Sequence, residues 1–169
     1  MADLRHQERL QPSLLDRLID EEPENKQEPV EKRVLSLRQL REAVLRDLSW
    51  LFNAGNLASA QNLEAFPEVA NSVLNYGIPD FTGHAASGVD VTAIEHLLRK
   101  AICDFEPRIL RHSVKVRLIV DEQKMSHNAM MFDIEGVLWA HPVPLHIFLK
   151  TELDLEVGDV KVSDYTGAF

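Results

Sequence analysis

The apolar residues of this chain change their spacing near residue 110, and this change limits the folds that the chain can adopt. Upstream they recur at intervals of three and four, as on helices that pack by one face. Two segments show this pattern, 37–51 and 91–105. Downstream they alternate with polar residues, which is typical of strands with one buried face. Helices followed by strands predict the α+β class.

The expected architecture has about three helices packed on a three-stranded antiparallel β-meander, with an extended N-terminal arm. Alternation places the strands at about 114–120, 127–139 and 145–155. Their short connections favour antiparallel pairing, and the apolar faces of the helices are expected to cover one face of the sheet. The tail, 158–169, is small and polar, so we expect it to fray or to pair with something else.

Local signals set the ends of the helices. A capping box begins at Ser36, and Asp90 caps the longest helix. A shorter helix is expected over 67–76, because proline occupies its first position and Gly77 lies just beyond its end. Pro107 must end or kink the long helix, since its ring clashes with the preceding turn.

The first 33 residues differ from the rest and are interpreted as an arm, followed by a domain over 34–157 and the tail. Residues 20–33 are nearly all polar and include two prolines, which predicts an extended linker. Before the linker, four apolar side chains share one face of a short helix: Leu14, Leu15, Leu18 and Ile19. Such a helix is too short to be stable alone in water. It either docks on a partner, which we favour, or folds back on its own domain.

Composition narrows the classes of protein that the chain can represent. The net charge of −9 opposes nonspecific nucleic-acid binding, which depends on lysine and arginine. A single cysteine, Cys103, excludes an internal disulfide framework and fits a reducing compartment. The first six residues have no apolar signal-peptide core, and no apolar run approaches the roughly 18 residues of a membrane span. We therefore expect a cytoplasmic protein without direct membrane insertion.

No pattern in the sequence predicts a metal site or a cofactor. His141 and His146 are separated by Pro-Val-Pro-Leu, so they cannot adopt the helical spacing of paired ligands, and the other histidines are isolated. Neither a glycine-rich phosphate loop nor a nucleophile motif is present.

The segment Glu106-Pro107-Arg108 joins the long helix to the first strand and has two compatible interpretations. It is an interaction site, in which arginine makes two-pronged contacts from a stiff corner, or an ion pair that fixes the turn. Arg111 follows the corner, and the surroundings are basic in an otherwise acidic chain. Six cations lie between residues 99 and 117: Arg99, Lys100, Arg108, Arg111, Lys115 and Arg117. We interpret them as a patch that faces an acidic partner.

Four ordered blocks carry a family resemblance. They are Pro-Ser-Leu-Leu-Asp-Arg-Leu at 12–18, Arg-Asp-Leu-Ser-Trp-Leu-Phe-Asn at 46–53, Ser-Val-Leu-Asn-Tyr-Gly-Ile-Pro-Asp at 72–80, and Phe-Glu-Pro-Arg-Ile at 105–109. Together they resemble the TssE family of small baseplate subunits of bacterial type VI secretion systems. That family belongs to the wider GPW family of baseplate wedge proteins from contractile phage tails.

The resemblance implies a structural subunit in a cytoplasmic baseplate docked at the inner-membrane complex. It implies association with TssF and TssG, a position near TssK, and a part in starting the TssB/TssC contractile sheath. Sheaths of this kind are joined by strands donated between neighbours, so an open edge of the sheet is expected to receive one. The expected edge is the strand at 145–155 or the tail after Gly158.

Part of the family has been labelled lysozyme-like, so a peptidoglycan hydrolase is the first alternative. Glycoside hydrolysis needs a protonated carboxylic acid and a second carboxylate at a defined distance. Glu106 is the obvious candidate acid, but adjacent Arg108 favours its ionised form, and Asp104 lies on another side of the helix. We therefore expect no catalytic residue. The second alternative is a generic adaptor whose basic patch binds an acidic protein or RNA.

Overall fold

The computed structural model describes residues 13–18, 24, 36–82, 90–119, 129–140 and 144–165. Within these residues the chain forms four α-helices and four β-strands. The helices are α1 Leu14–Leu18, α2 Leu37–Phe52, α3 Pro67–Ala70 and α4 Val91–Phe105. The strands are β1 Lys115–Ile119, β2 Ala129–Leu138, β3 Leu145–Asp154 and β4 Val160–Asp164. Short 3₁₀ helices at Leu57–Ser59, Val73–Asn75 and Arg111–Ser113 lie in the connections.

The two long helices begin where the sequence predicts. Ser36 Oγ accepts the backbone N–H of Gln39 at 3.2 Å, and Gln39 Oε1 accepts the N–H of Ser36 at 2.9 Å. At the start of α4, the Asp90 carboxylate accepts the N–H of Ala93 at 3.2 Å. Both caps satisfy donors that the first turn of a helix leaves unpaired.

The helix predicted over 67–76 is shorter than expected. The α-helix α3 covers only Pro67–Ala70, and a 3₁₀ helix, Val73–Asn75, follows it. Ser72 separates the two, because its hydroxyl accepts the N–H of Leu74 at 3.2 Å and so caps a new helix start. A serine that bonds the nearby backbone competes with a continuous helix in this way.

The α+β class is confirmed, but the sheet has four strands where three were expected. The order is β1-β2-β3-β4, and all neighbouring pairs are antiparallel. The additional strand β4 lies in the segment that we expected to fray or to pair with something else. It pairs with β3 so that Val162 stands opposite Thr151. The prediction that the strand at 145–155 forms an edge is therefore wrong, since β3 has a neighbour on each side.

A tight turn returns the chain from β3 to β4. The Asp154 carboxylate accepts the N–H groups of Glu156 and Val157, and the Gly158 N–H donates to the Asp154 carbonyl at 2.8 Å. Gly158 has a φ of +78°, which glycine adopts at little cost. Because these contacts are made within the turn, the polar sequence closes a hairpin without a long apolar run.

The core lies between the sheet and the helices α2 and α4. Its members are large apolar side chains that are almost fully buried: Leu48, Leu51, Phe52, Ile94, Leu98, Ile102, Phe132, Ile134, Leu138 and Ile147. They come from the helical stripes and from alternate strand positions, as the sequence predicts. The sheet face covered by the helices is thus fixed, and with it the place where α4 turns into β1.

Candidate interaction site

The corner between α4 and β1 is closed by its own charged side chains. Glu106 is only 3 % exposed. Its carboxylate accepts the Arg108 Nε–H at 2.7 Å and the Arg108 backbone N–H at 3.1 Å, and it meets Arg108 Nη2 at 2.5 Å. Pro107 stands exposed between them. The ion pair that the sequence offered as one interpretation of this corner is therefore present.

Arg108 also reaches across to α2. Its Nη2 lies 2.5 Å from Asp47 Oδ2, so one guanidinium joins the corner to a helix 61 positions earlier in the chain. Burial opposes the charge of Arg108, but hydrogen bonds and attraction from Glu106 and Asp47 outweigh it and raise the pKa of Arg108. The arginine is charged throughout the accessible pH range, and this link does not depend on its titration.

The contacts continue from Asp47 towards the arm. Arg46 bonds Asp47 at 2.8 Å and Asp16 of α1 at 2.8 Å, and its guanidinium lies 5.0 Å from the centre of the Trp50 ring. Five charged groups alternate in sign along this path, and we call them the charge row: Asp16, Arg46, Asp47, Arg108 and Glu106. The row was not predicted as a unit, although block 46–53 contains two of its members.

Asp16 is the member that holds the arm. Burial would raise the pKa of Asp16, but hydrogen bonds from Ser13 and Arg46 and the charge of Arg46 together lower it. Ser13 Oγ also accepts the Asp16 N–H at 3.2 Å and so supports the first turn of α1. The fold-back alternative for the arm is thus observed, because α1 lies on its own domain.

The described arm leucines divide between two environments. Leu15 is 40 % exposed and lines a groove of about 490 Å³ between α1, α2 and the corner. Leu14 and Leu18 are 75 % and 74 % exposed, so they project away from the domain. Ile19, the fourth predicted member of this apolar face, lies outside the described residues.

The groove is lined by parts of all four sequence blocks. Its far wall contains the Tyr76 ring, packed edge-on against Phe105 with ring centres 5.3 Å apart. Members of the four blocks make up its whole lining apart from Leu40: Ser13, Leu15, Asp47, Leu48, Trp50, Leu51, Tyr76, Phe105, Glu106, Pro107 and Arg108. Segments that are distant in sequence therefore converge on one place.

The predicted basic cluster is not a single patch of free cations. Lys100 pairs with Asp104 at 2.6 Å, Lys115 approaches Glu135 at 3.5 Å, and Arg108 belongs to the charge row. Arg99 is exposed, but its Nε–H donates to the Val114 carbonyl at 3.2 Å. The remaining two, Arg111 and Arg117, are exposed. The positive surface is therefore smaller than the sequence alone indicates.

Across the ranges that the structure describes, no group of three or more metal-ligating side chains could hold an ion. Among the helices of those ranges, none is both long enough and apolar enough to cross a membrane.

The four sequence blocks of this α+β domain meet around one corner, and comparison with known proteins identifies the family. The family model described as baseplate wedge protein gp25 matches residues 38–143, well over half of the chain. The chain belongs to this family. It is a baseplate component of a contractile injection machine, and its partners are other components of a baseplate.

The chain is similar to a solved structure. It is a protein from Geobacter sulfurreducens, provisionally described as a tail lysozyme, with 12 % sequence identity and a TM-score of 0.40. The match covers 69 % of this chain and 94 % of that one. A likeness this distant carries no functional argument. Among curated proteins, none matches the chain.

Proposed function

We propose that the chain is the TssE-type subunit of a type VI secretion baseplate wedge. In this role it joins TssF and TssG, lies near TssK, and helps the TssB/TssC sheath to start, in a cytoplasmic baseplate docked at the inner-membrane complex. One observation carries the proposal. All four blocks that resemble TssE line the same groove, although 12–18 and 105–109 lie far apart in the chain.

The surface around this groove supports a role in joining partners. Trp50 is 51 % exposed, and Leu14 and Leu18 project outwards beside it on the docked arm. Exposed apolar side chains on a braced framework bind with little loss of conformational freedom. Pro107 and Arg111 at the corner are exposed as well, while Glu106 and Arg108 hold the corner in shape. The arm thus adds to the binding surface without leaving the domain.

The corner geometry does not favour hydrolysis. Glu106 is buried and accepts three hydrogen bonds from Arg108. The same arginine also binds the Asp47 carboxylate. A general acid must be protonated and must reach the glycosidic oxygen. A carboxylate that is buried and bound to a guanidinium does not meet the second requirement. We therefore propose a structural function, and turnover of purified peptidoglycan by the intact chain would contradict it.

For sheath initiation, the two edges of the sheet differ. The outer edge of β1 is bonded by α4, since Glu95 Oε1 accepts the Leu118 N–H at 2.7 Å and Arg99 binds the Val114 carbonyl. On β4, the Asn53 side chain accepts the Val160 N–H at 2.9 Å and donates to its carbonyl at 2.8 Å. Asn53 therefore covers the start of β4, and Arg41 of α2 bonds the Asp164 side chain at its end.

Backbone groups alternate in direction along β4, and this alternation identifies which N–H and C=O groups face away from β3. The N–H and C=O of Val160 both face Asn53, away from β3, whereas the Tyr165 N–H donates to the Phe148 carbonyl of β3 at 2.9 Å. Because backbone groups alternate in an antiparallel strand, those of Val162 and Asp164 face outwards. We propose that this edge receives a sheath strand. Of the two edges expected from the sequence, this proposal retains the tail after Gly158. It excludes the strand at 145–155, which is β3.

Co-purification with TssF and TssG tests the main proposal. The intact chain is expected to recover both proteins, and Leu14→Asp with Leu18→Asp is expected to reduce the recovery without changing Tm. The matched control is Val157→Asp, since Val157 is 73 % exposed on the β3–β4 turn, away from the groove. No recovery by the wild-type chain would contradict the wedge proposal. Equal recovery by the leucine variant would contradict only the role of the arm.

A further inference from the structure

The 3₁₀ helix Val73–Asn75 exposes two apolar side chains that do not belong to the hydrophobic core. Val73 is 79 % exposed and Leu74 is 68 % exposed. Phe66, at the start of α3, is 60 % exposed in the same short stretch of chain. None of the three lines the groove beside the charge row. They lie in one exposed segment of chain outside that groove, and we call this segment the 66–74 surface.

The residues around this pair hold the turn in place. Ser72 caps the 3₁₀ helix, and Asn75 binds the Ala70 carbonyl at 2.8 Å and the Ala58 N–H at 2.9 Å. Gly77 follows with a φ of +118°, and a Cβ there would lie 2.2 Å from the Ala54 carbonyl oxygen. The turn is therefore held from several sides, and Val73 and Leu74 are presented on a fixed backbone.

The charged residues that flank the 66–74 surface in the sequence are all acidic. Between residues 48 and 98 there is no lysine or arginine, while the segment contains five carboxylates. Glu64 and Glu68 are exposed next to Phe66 in the chain. Glu64 also borders an open groove of about 720 Å³ between the 58–64 loop and α3. Apolar side chains beside carboxylates match a partner that is apolar on one face and positive at its margins.

We propose that the 66–74 surface docks a positively charged amphipathic segment of another protein. Val73, Leu74 and Phe66 receive its apolar side chains, and Glu64 and Glu68 pair with its cations. A second copy of this chain does not fit, because two such surfaces would bring like charges together. The assignment is independent of the groove beside the charge row and of which baseplate protein binds there.

Site-specific photocrosslinking in cells of the source organism tests the proposal directly. A photoreactive phenylalanine analogue replaces Leu74 in one variant and exposed Val157 in a control, and the crosslinked peptides are sequenced by mass spectrometry. The expected product at position 74 is a segment with apolar residues at helical spacing and an excess of lysine and arginine. A crosslink at 74 no stronger than at 157, or one to an acidic segment or to this same chain, overturns it.

A binding experiment on the purified intact chain tests the charge complementarity. The probe is a designed helical peptide of about 18 residues, or five turns, with leucine on one face and lysine on the other. Val73→Ser with Leu74→Ser is expected to weaken its binding about tenfold, a loss expected when two apolar contacts are removed. Glu64→Gln with Glu68→Gln is expected to weaken it less, and to reduce its salt dependence.

The controls make each result decisive. Val157→Ser is expected to leave the affinity unchanged, and all variants are expected to keep the wild-type Tm, because the substituted side chains are exposed. The same peptide with glutamate in place of lysine is expected not to bind. If Val73→Ser with Leu74→Ser binds the lysine peptide as tightly as wild type, the peptide binds elsewhere on an acidic protein and the proposal is wrong.

Discussion

Arg108 and Asp47 meet at 2.5 Å and join the corner after α4 to the middle of α2. Arg108 is bound at the same time to Glu106, which is almost fully buried. The arginine therefore neutralises one enclosed carboxylate and links it to a second element. A corner fixed in this way keeps the groove walls in register, and this explains why the Glu-Pro-Arg segment and the Arg-Asp block occur in the same chain.

Arg108→Ala is expected to lower the free energy of unfolding by about 3 kcal/mol, because it leaves the buried Glu106 without its cation. Urea denaturation measures the change. The matched control is Arg111→Ala, an exposed arginine three residues later, with an expected loss of about 0.5 kcal/mol or less. Similar losses for the two variants would show that the ion pair does not brace the corner.

A second comparison separates bracing from partner binding at this corner. Asp47→Asn removes the same link from the α2 side and leaves the arginine in place. If Arg108 contacts a baseplate partner, Arg108→Ala is expected to reduce recovery of the wedge complex more than Asp47→Asn does at equal stability. If recovery follows stability alone in both variants, the corner is a brace and the interaction role proposed for Arg108 is wrong.

Gly77 is the position where the backbone conformation itself predicts a large effect. It has a φ of +118°, and a Cβ would lie 2.2 Å from the Ala54 oxygen and 2.7 Å from the Ala54 carbonyl carbon. Gly77→Ala is therefore expected to lower the free energy of unfolding by about 2 kcal/mol or more, measured by urea denaturation.

Gly55 provides the matched control for Gly77, because the two residues lie on neighbouring segments joined by the Gly55–Ile78 bridge. A Cβ on Gly55 meets nothing within 4 Å. Gly55→Ala is expected to change stability by no more than about 0.5 kcal/mol. Equal losses would mean that the positive φ of Gly77 and its close approach to Ala54 do not decide the outcome.

These comparisons also mark what sequence can and cannot predict for this protein. The caps at Ser36 and Asp90 were predictable because each cap depends on residues within three positions. The strand β4 was missed because it is five residues long and its tight turn is made of polar contacts. The Arg108–Asp47 link was missed because nothing in the sequence measures which distant charges meet.

The resemblance to TssE succeeded where these physical rules did not. It marked block 46–53 together with block 105–109, and the structure brings the two into contact through Asp47 and Arg108. It gave no indication of how the arm lies, since fold-back and partner docking fit the same four apolar residues. That choice depends on Asp16 and Arg46, whose partnership is visible only in three dimensions.

The Asp16–Arg46 pair predicts a pH-dependent arm. The pKa of Asp16 is lowered in the docked state from its usual value of 3.8. A lowered pKa means that the stabilisation is complete above the usual value and is lost as pH falls from 3.8 through the lowered value. The protection of the α1 amides against hydrogen exchange, relative to the intrinsic exchange rate at each pH, is therefore expected to fall in that acid range and at high salt.

Asp16→Asn tests the origin of that dependence. At neutral pH it is expected to weaken docking of α1 by about 1 kcal/mol, which accelerates exchange about fivefold, and to leave the exchange of α4 unchanged. Glu42→Gln is the control, since Glu42 is an exposed carboxylate on α2 whose ion-pair partner among the described residues is Arg38. If Asp16→Asn keeps the wild-type acid response in α1, another group holds the arm.

The outer edge of β4 gives the last prediction, which concerns the sheath. If Val162 directs its N–H away from β3, then Val162→Pro removes no bond of the sheet and blocks an incoming strand, which needs that donor. The expected cost in stability is about 1 kcal/mol, from the partly buried valine side chain. Co-purification of TssF and TssG is expected to persist, while sheath assembly, observed with fluorescent TssB, is expected to stop.

Ser163→Pro separates the edge from the strand. By the same alternation the Ser163 N–H faces β3, so proline at this position removes a bond within the sheet and is expected to destabilise the domain more than Val162→Pro does. A sheath defect in Val162→Pro cells, with Tm well above that of Ser163→Pro, would place strand addition at the outer edge of β4. Normal sheaths in Val162→Pro cells would exclude the outer edge of β4 as the site of strand addition.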